Sequence, residues 1–163
     1  MNDESRPGFE IRPMNDRRQL EELLRLRWPD ENLIIRGQFV RPEDVEGLGY
    51  FTNDRLHGIA TWMPHGKVMH IVAVNAFTEL RGVGIALIDA MKEHARRHGM
   101  TCLRATISND NVVALRFYQK RGFRVTALHR GIYDAMRAMK PSIPRTGLDG
   151  IPMSDEFELE LEL

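Results

Sequence analysis

The stretch from Lys67 to Phe77, rich in Val, Ile and Ala, runs into Arg81-Gly82-Val83-Gly84-Ile85-Ala86, and a helical pattern begins at once. A near-continuous apolar run of this length reads as a strand buried on both faces, near the centre of a sheet. From Gly84 to His98, Ile85, Leu87, Ile88, Met91 and Ala95 recur at helical spacing, and Gly99 supplies a left-handed cap. A strand from Thr101 to Ile107 follows. Asn109-Asp110-Asn111 then caps a helix carrying Ala114, Phe117 and Tyr118 on one side until Gly122, and Phe123 to Leu128 resumes a strand. Strand, helix, strand, helix, strand is an α/β (α+β) order, a sheet with helices packed against it.

The flanks extend this unit. Phe9 to Arg12 alternates as a short strand, and Asn15 or Asp16 offers a cap to a helix running to about Arg27, with Leu20, Leu23, Leu24 and Arg27 on one face and Pro29 as its stop. Asp30 to Gly49 stays open between helix and loop. Gly49 to Thr52, a turn over Asn53 to Gly58, and Ile59 to Met63 read as a hairpin, with another turn at Pro64-His65-Gly66. Tyr133 to Met139 suggests a short helix, followed by a loop holding Pro141, Pro144, Gly147, Gly150 and Pro152. From Asp155 to Leu163 acidic and apolar residues alternate: Phe157, Leu159, Leu161 and Leu163 against Glu156, Glu158, Glu160 and Glu162. That is a half-buried strand with its acidic row expected in solvent, where it could attract a polyamine or basic peptide. As an exposed edge, it could also pair across a homodimer.

At 163 residues the expectation is one domain over 1–163, with a cofactor-binding core over about 67–128 and a C-terminal loop and strand over 141–163. Lys plus Arg and Asp plus Glu are equal at 23 each, so no global field favours nucleic acid or an anionic membrane. The single Cys102 fits a reducing compartment, and the polar start of the chain has no signal-like apolar segment; the expectation is cytoplasmic. No apolar run approaches the roughly 20 residues that span a bilayer.

A strand that enters a helix through Gly82-Val83-Gly84 leaves unpaired N–H groups at the positive end of the helix dipole, a setting that attracts phosphate. The ATP-binding form of this idea ends in Gly-Lys-Ser/Thr, where Gly84-Ile85-Ala86 stands, and the dinucleotide form needs a third glycine where Leu87 stands. Both fail. The hexapeptide Arg81 to Ala86 does match R-x-x-G-x-A, and Asn111 to Phe123 matches N-x-x-A-x-x-x-Y-x-x-x-G-F. On these two blocks the chain resembles the GNAT (Gcn5-related) N-acetyltransferase family. The resemblance is firm over about Met69 to Phe123.

The resemblance implies a mixed sheet splayed at the acyl-CoA site, with acetyl-CoA as co-substrate and no metal. It would pair backbone groups of Val74 and Ala76 with pantetheine. It would place the N–H groups of Gly82, Val83, Gly84, Ile85 and Ala86 on the pyrophosphate, with Arg81 near phosphate. It makes Tyr118 the candidate general acid at the thioester sulfur and Asn111 a partner for the pantetheine arm. Phe117 reads as a core aromatic.

An alkylammonium acceptor, of pKa about 10.4, must lose a proton before it attacks. His70 falls where many relatives carry a glutamate used as base or water anchor, and imidazole suits that work near neutral pH. The competing reading of His70 is a satisfied core residue. His57 and His65 are placed in turns beside the hairpin, His94 and His98 on the surface at metal-like spacing without a third ligand, and Cys102 as a small buried hydrophobe. The resulting expectation is acetyl transfer from acetyl-CoA to a primary amine of a small molecule or peptide, by direct attack in a ternary complex. The alternative is a non-catalytic acyl-CoA-binding module or sensor. An RNA-modifying enzyme is disfavoured by the zero net charge. Trp28 to Val45, the hairpin turn and Arg130 to Met153 are expected to shape the acceptor pocket.

Overall fold

The computed structural model describes residues 8–27, 33–35, 37–78 and 80–163. Pro29 as a helix stop and residues 28–32 as an acceptor wall lie outside the described residues. The chain begins with β1 (Glu10–Pro13) and α1 (Arg17–Arg27). Asp16 makes the cap between them: its Oδ1 accepts from the Gln19 N–H at 3.1 Å. A small hairpin of β2 (Leu33–Ile35) and β3 (Gln38–Val40) occupies the segment the sequence left open, followed by one tight helical turn at Pro42–Asp44. Three-residue strands are too short to show an alternation, so no period marked them.

The hairpin β4 (Glu46–Thr52) and β5 (Arg55–His65) turns over only Asn53 and Asp54, whose φ values of 48° and 60° are left-handed. Asn and Asp tolerate that region, and such a two-residue turn matches the twist of the flanking strands. The strands therefore run further than expected at both ends, and His57 and Gly58 lie inside β5. Pro64 also belongs to β5, beyond the last pair with β4 at Glu46↔Trp62 and opposite Met69 of β6, so β5 is a one-sided strand there.

Then come β6 (Val68–Ala76), α2 (Val83–Arg97), β7 (Cys102–Ser108), α3 (Val112–Gln119), β8 (Arg124–His129), α4 (Ile132–Met139) and β9 (Glu156–Glu162). The sheet order is β1-β4-β5-β6-β7-β9-β8. Only β6 and β7 run parallel; the other pairs are antiparallel. On one face, Val83, Leu87, Ile88 and Met91 of α2 and Tyr118 of α3 pack on Trp62, Met69, Ile71, Leu103 and Leu159. On the other, Leu20 and Leu24 of α1 pack with Ile35, Val40, Val45 and Phe51. Burying one such side chain contributes about 1.5–3 kcal/mol relative to leaving it in water.

The placement of β9 corrects two expectations. It is not an edge: β7 pairs along one side and β8 along the other, so it has no open ladder to offer a second copy. Nor is its acidic row wholly solvated: of its four glutamates only Glu162 is exposed. Glu156 and Glu158 are only 4% and 7% exposed, and Glu158 and Glu160 meet Arg104 of β7. His129 of β8 lies 3.2 Å from Glu158.

Candidate functional site

The site forms where β6 and β7 part. Their parallel ladder runs from Val68↔Cys102 to Ile71↔Ala105 and stops. The next residue, Val72, is a bulge: Thr61 of β5 faces Ala73 and Trp62 faces Ile71, leaving Val72 without a direct opposite. An extra residue bends its strand and sharpens the twist. Here it turns β6 away from β7 just past their last pair, while β6 keeps its bonds to β5 as far as Ala76. The result is a cleft of about 570 Å³. Val74 and Ala76 line one wall, Thr106 and Ser108 the other, and Asn111, Phe117 and Tyr118 of α3 line it as well.

At the mouth, Gly82 adopts φ 88°, and α2 starts at Val83 with the Ala86 N–H already bonded to the Gly82 carbonyl at 2.9 Å. Ala86 is thus committed within the helix. The amides ahead of it, Gly82 to Ile85, precede the first intrahelical bond, and no side chain caps them. Gly84 has a packing role besides the one read in the sequence. A Cβ there would meet the Phe117 ring at 3.2 Å, so this glycine lets α2 and α3 close on each other, and Phe117 lines the cleft beside it. Arg81 is exposed in the turn, and Val83 is buried in the core.

Gly58, in the middle of β5, is a second requirement. A Cβ would lie 2.6 Å from Val83 Cγ1 and 2.7 Å from the Asn75 carbonyl oxygen. Its missing side chain is the seat for the first residue of α2. A glycine inside a strand pattern is the available signal for such an approach.

Tyr118 faces the cleft from a packed setting, edge-on to Phe117 at 5.3 Å and to Phe123 at 5.0 Å. Burial raises its phenol far above the usual 10.0, so the proton stays on. Asn111 both caps α3, its Oδ1 accepting from the Ala114 N–H at 3.0 Å, and lines the cleft. The preceding residues act elsewhere. Asn109 Oδ1 accepts from the Ser154 and Asp155 amides at 2.9 and 3.0 Å, and Asp110 Oδ2 from the Leu148 amide at 2.8 Å. These bonds pin the C-terminal loop to the start of α3.

Another part of the lining was read in the sequence only as the segment Arg130 to Met153, which holds Tyr133; Ser108 and Glu156 were not read as part of it. Tyr133 of α4, Ser108 of β7 and Glu156 of β9 converge there. Burial first, then the Glu156 and Asp110 charges, push the Tyr133 phenol up to about 12, against the lowering effects of a hydrogen bond with Ser108 and of Arg137. Two phenols held neutral carry a stability consequence. Above the unfolded value near 10.0 the unfolded chain loses protons that the folded chain keeps, so stability is full below pH 10 and falls as pH rises towards the folded values. The unfolding free energy from urea titration is expected to drop from pH 10 upward, by about 1.4 kcal/mol per pH unit for each tyrosine. Tyr118→Phe should flatten that slope, and an unchanged slope would contradict the assignment.

His70 is not in the cleft. It precedes Ile71 on the paired part of β6, lines an adjoining cavity of about 430 Å³ with His65 and Arg104, and its Nε2 lies 3.5 Å from Arg104 Nη1. Ile35 borders both spaces. Of the other histidines, His98 is exposed as expected, whereas His57 and His94 depart from expectation. His57 is buried and placed between Thr52 and Thr78. His94 stacks on His98 at 4.1 Å and lies against Trp62 at 4.8 Å, so it is a packing residue rather than a surface one. Burial, reinforced by His98, lowers its pKa below the usual 6.5. Cys102 is half-buried, and burial followed by Glu160 keeps its thiol protonated.

Among the described residues no helix is long and apolar enough to cross a membrane. The family model "Acetyltransferase (GNAT) family" matches residues 11–123. The chain is 30% identical over 137 residues to the Bacillus subtilis (strain 168) protein YxbD, covering 83% of this chain and 86% of that protein. Its fold is similar to that of a Bacillus subtilis acetyltransferase solved in complex with CoA (TM-score 0.73, 22% identity, 96% and 99% of the two chains). It is also similar to a GNAT family acetyltransferase from Elizabethkingia anophelis with acetyl-CoA bound (TM-score 0.72, 19% identity, 95% and 98%). A parallel pair forced apart at a bulge, a glycine turn at the mouth of the gap, and a family match that spans both place this chain in the GNAT acetyltransferase family.

Proposed function

We propose that the protein, acting as one domain, transfers an acetyl group from acetyl-CoA to a primary amine by direct attack in a ternary complex. The observation that carries this reading is the cleft opened at Val72, whose lining includes both Gly84, among the uncapped amides at the start of α2, and the neutral phenol of Tyr118. The residues fit a CoA thioester. Beyond Ile71 the backbone of β6 no longer pairs with β7, so groups at Val74 and Ala76 can bond an extended pantetheine amide as a strand would. Amides from Gly82 to Ile85 meet the pyrophosphate, Arg81 adds charge at the surface, and the Asn111 side chain reaches the pantetheine arm. Tyr118 donates its proton to the departing thiolate.

Cys102 supplies no covalent route, since its thiol is held protonated on a strand away from the cleft lining. His70, in the adjoining cavity, would act on the acceptor proton only through water. The test is to supply acetyl-CoA with a panel of amines, amino acids, polyamines and peptides and follow thiol release. Transfer to an amine is expected, and His70→Ala should slow it by no more than about tenfold. CoA binding without release from any acceptor would favour the sensor reading; no CoA binding would overturn the proposal.

A further inference from the structure

We propose that Glu156 is the acceptor-binding carboxylate of the cleft and that the acceptor class is a small monocationic primary amine without a carboxylate of its own. This rests on the acetyl-transfer reading above. Among the described residues lining the cleft, Glu156 is the single side chain of a type that is charged at neutral pH; the rest are apolar, amide, hydroxyl or phenol groups. The other acids of its row, Glu158 and Glu160, do not line the cleft and share Arg104.

Glu156 pairs with Ser108 at the start of β9 and lines the cleft together with Ser108 and Tyr133, while Ile34 and Ile35 of the small hairpin line the same space. One carboxylate in a largely apolar chamber matches one ammonium on a short apolar body. The surroundings reject an acceptor carboxylate. Asp110, only 2% exposed, stands close enough to Tyr133 to act on its phenol with the same sign as Glu156. The cation that acts on Tyr133, Arg137, donates to Asp134 and to the carbonyls of Ile143, Pro144 and Met153.

The step balances without another reactant. The ammonium gives one proton to Glu156, and its nitrogen lone pair forms the N–C bond at the thioester carbonyl. The C–S bond breaks, the thiolate takes the Tyr118 proton, and the second proton lost by nitrogen restores Tyr118 through water. Glu156 returns its proton to solvent.

The test uses acetyl-CoA with 2-phenylethylamine and, in parallel, phenylalanine, which differs by its carboxylate. For the wild-type protein kcat/KM is expected to be at least about 50-fold higher for the amine. Glu156→Gln should lower kcat/KM for the amine about 100-fold and leave the CoA Kd within about twofold. Glu156→Asp, which keeps the charge should the amide variant fail to fold, should lose rate but retain the preference for the amine. Equal use of both acceptors, full activity in Glu156→Gln, or CoA binding with no turnover of the amine overturns this proposal and leaves the coenzyme reading standing. Loss of CoA binding in the wild-type protein is the separate failure of that reading.

Discussion

Tyr118→Phe is expected to reduce kcat for acetyl transfer by about 100-fold or more while the CoA Kd stays within about twofold. The substitution removes one oxygen and keeps the ring that packs edge-on to Phe117 and Phe123, so α3 retains its place in the core. What is lost is a proton held at the cleft by burial, since a phenol raised this far above 10.0 does not ionise near neutral pH. A thiolate leaving without that donor must take its proton from water. Steady-state rates against calorimetric CoA binding separate the two effects. A parallel fall in both would make Tyr118 a packing residue, and an unchanged kcat would remove it from the chemistry.

The second large effect is expected from a methyl group. Gly58→Ala places a Cβ 2.7 Å from the Asn75 carbonyl oxygen and 2.6 Å from Val83 Cγ1, distances that cannot stand. A flexible side-chain end could swing aside, but the Asn75 oxygen is backbone of β6, and Val83 is the first residue of α2. Relief therefore moves either the strand wall of the cleft or the helix whose first amides face its mouth. A loss of about 1–3 kcal/mol in stability is expected, with CoA binding weakened by about tenfold. Chemical denaturation and calorimetry measure the two. A variant as stable as the parent that binds CoA normally would show that Gly58 is not the seat of α2.

The elements from β6 to β8 were legible because each is punctuated by chemistry that acts locally. Gly82, Gly99 and Gly122 have φ of 88°, 70° and 90°, and Asn111 caps α3 through its own side chain. Tyr118 and Asn111 were legible through a spaced block on one short helix. The features that escaped depend on neighbours distant in sequence. Glu156 to Glu162 show a clean alternation, but whether its acidic side meets water or Arg104 depends on which strands flank β9, and alternation carries no such information. His70 follows the strand period correctly, yet the bulge at Val72 decides which cavity it lines. Gly58 looked like turn chemistry because Asn53 and Asp54 stand just before it. Its function lies instead in the approach of a helix that begins 25 residues later, at Val83.

The position of β9 also bears on how the molecule assembles. Among the described residues β8 pairs with β9 alone, and β9 follows it by more than 25 residues. During synthesis, Arg124 to His129 must therefore wait without a ladder until the last described strand arrives and threads between β7 and β8. Closure of that long loop comes late and costs entropy before it returns contacts. The bonds from Asn109 and Asp110 to the loop shorten the span still to be closed. Because Glu156 opens β9, the part of the cleft that it lines is completed in the same event that closes the sheet.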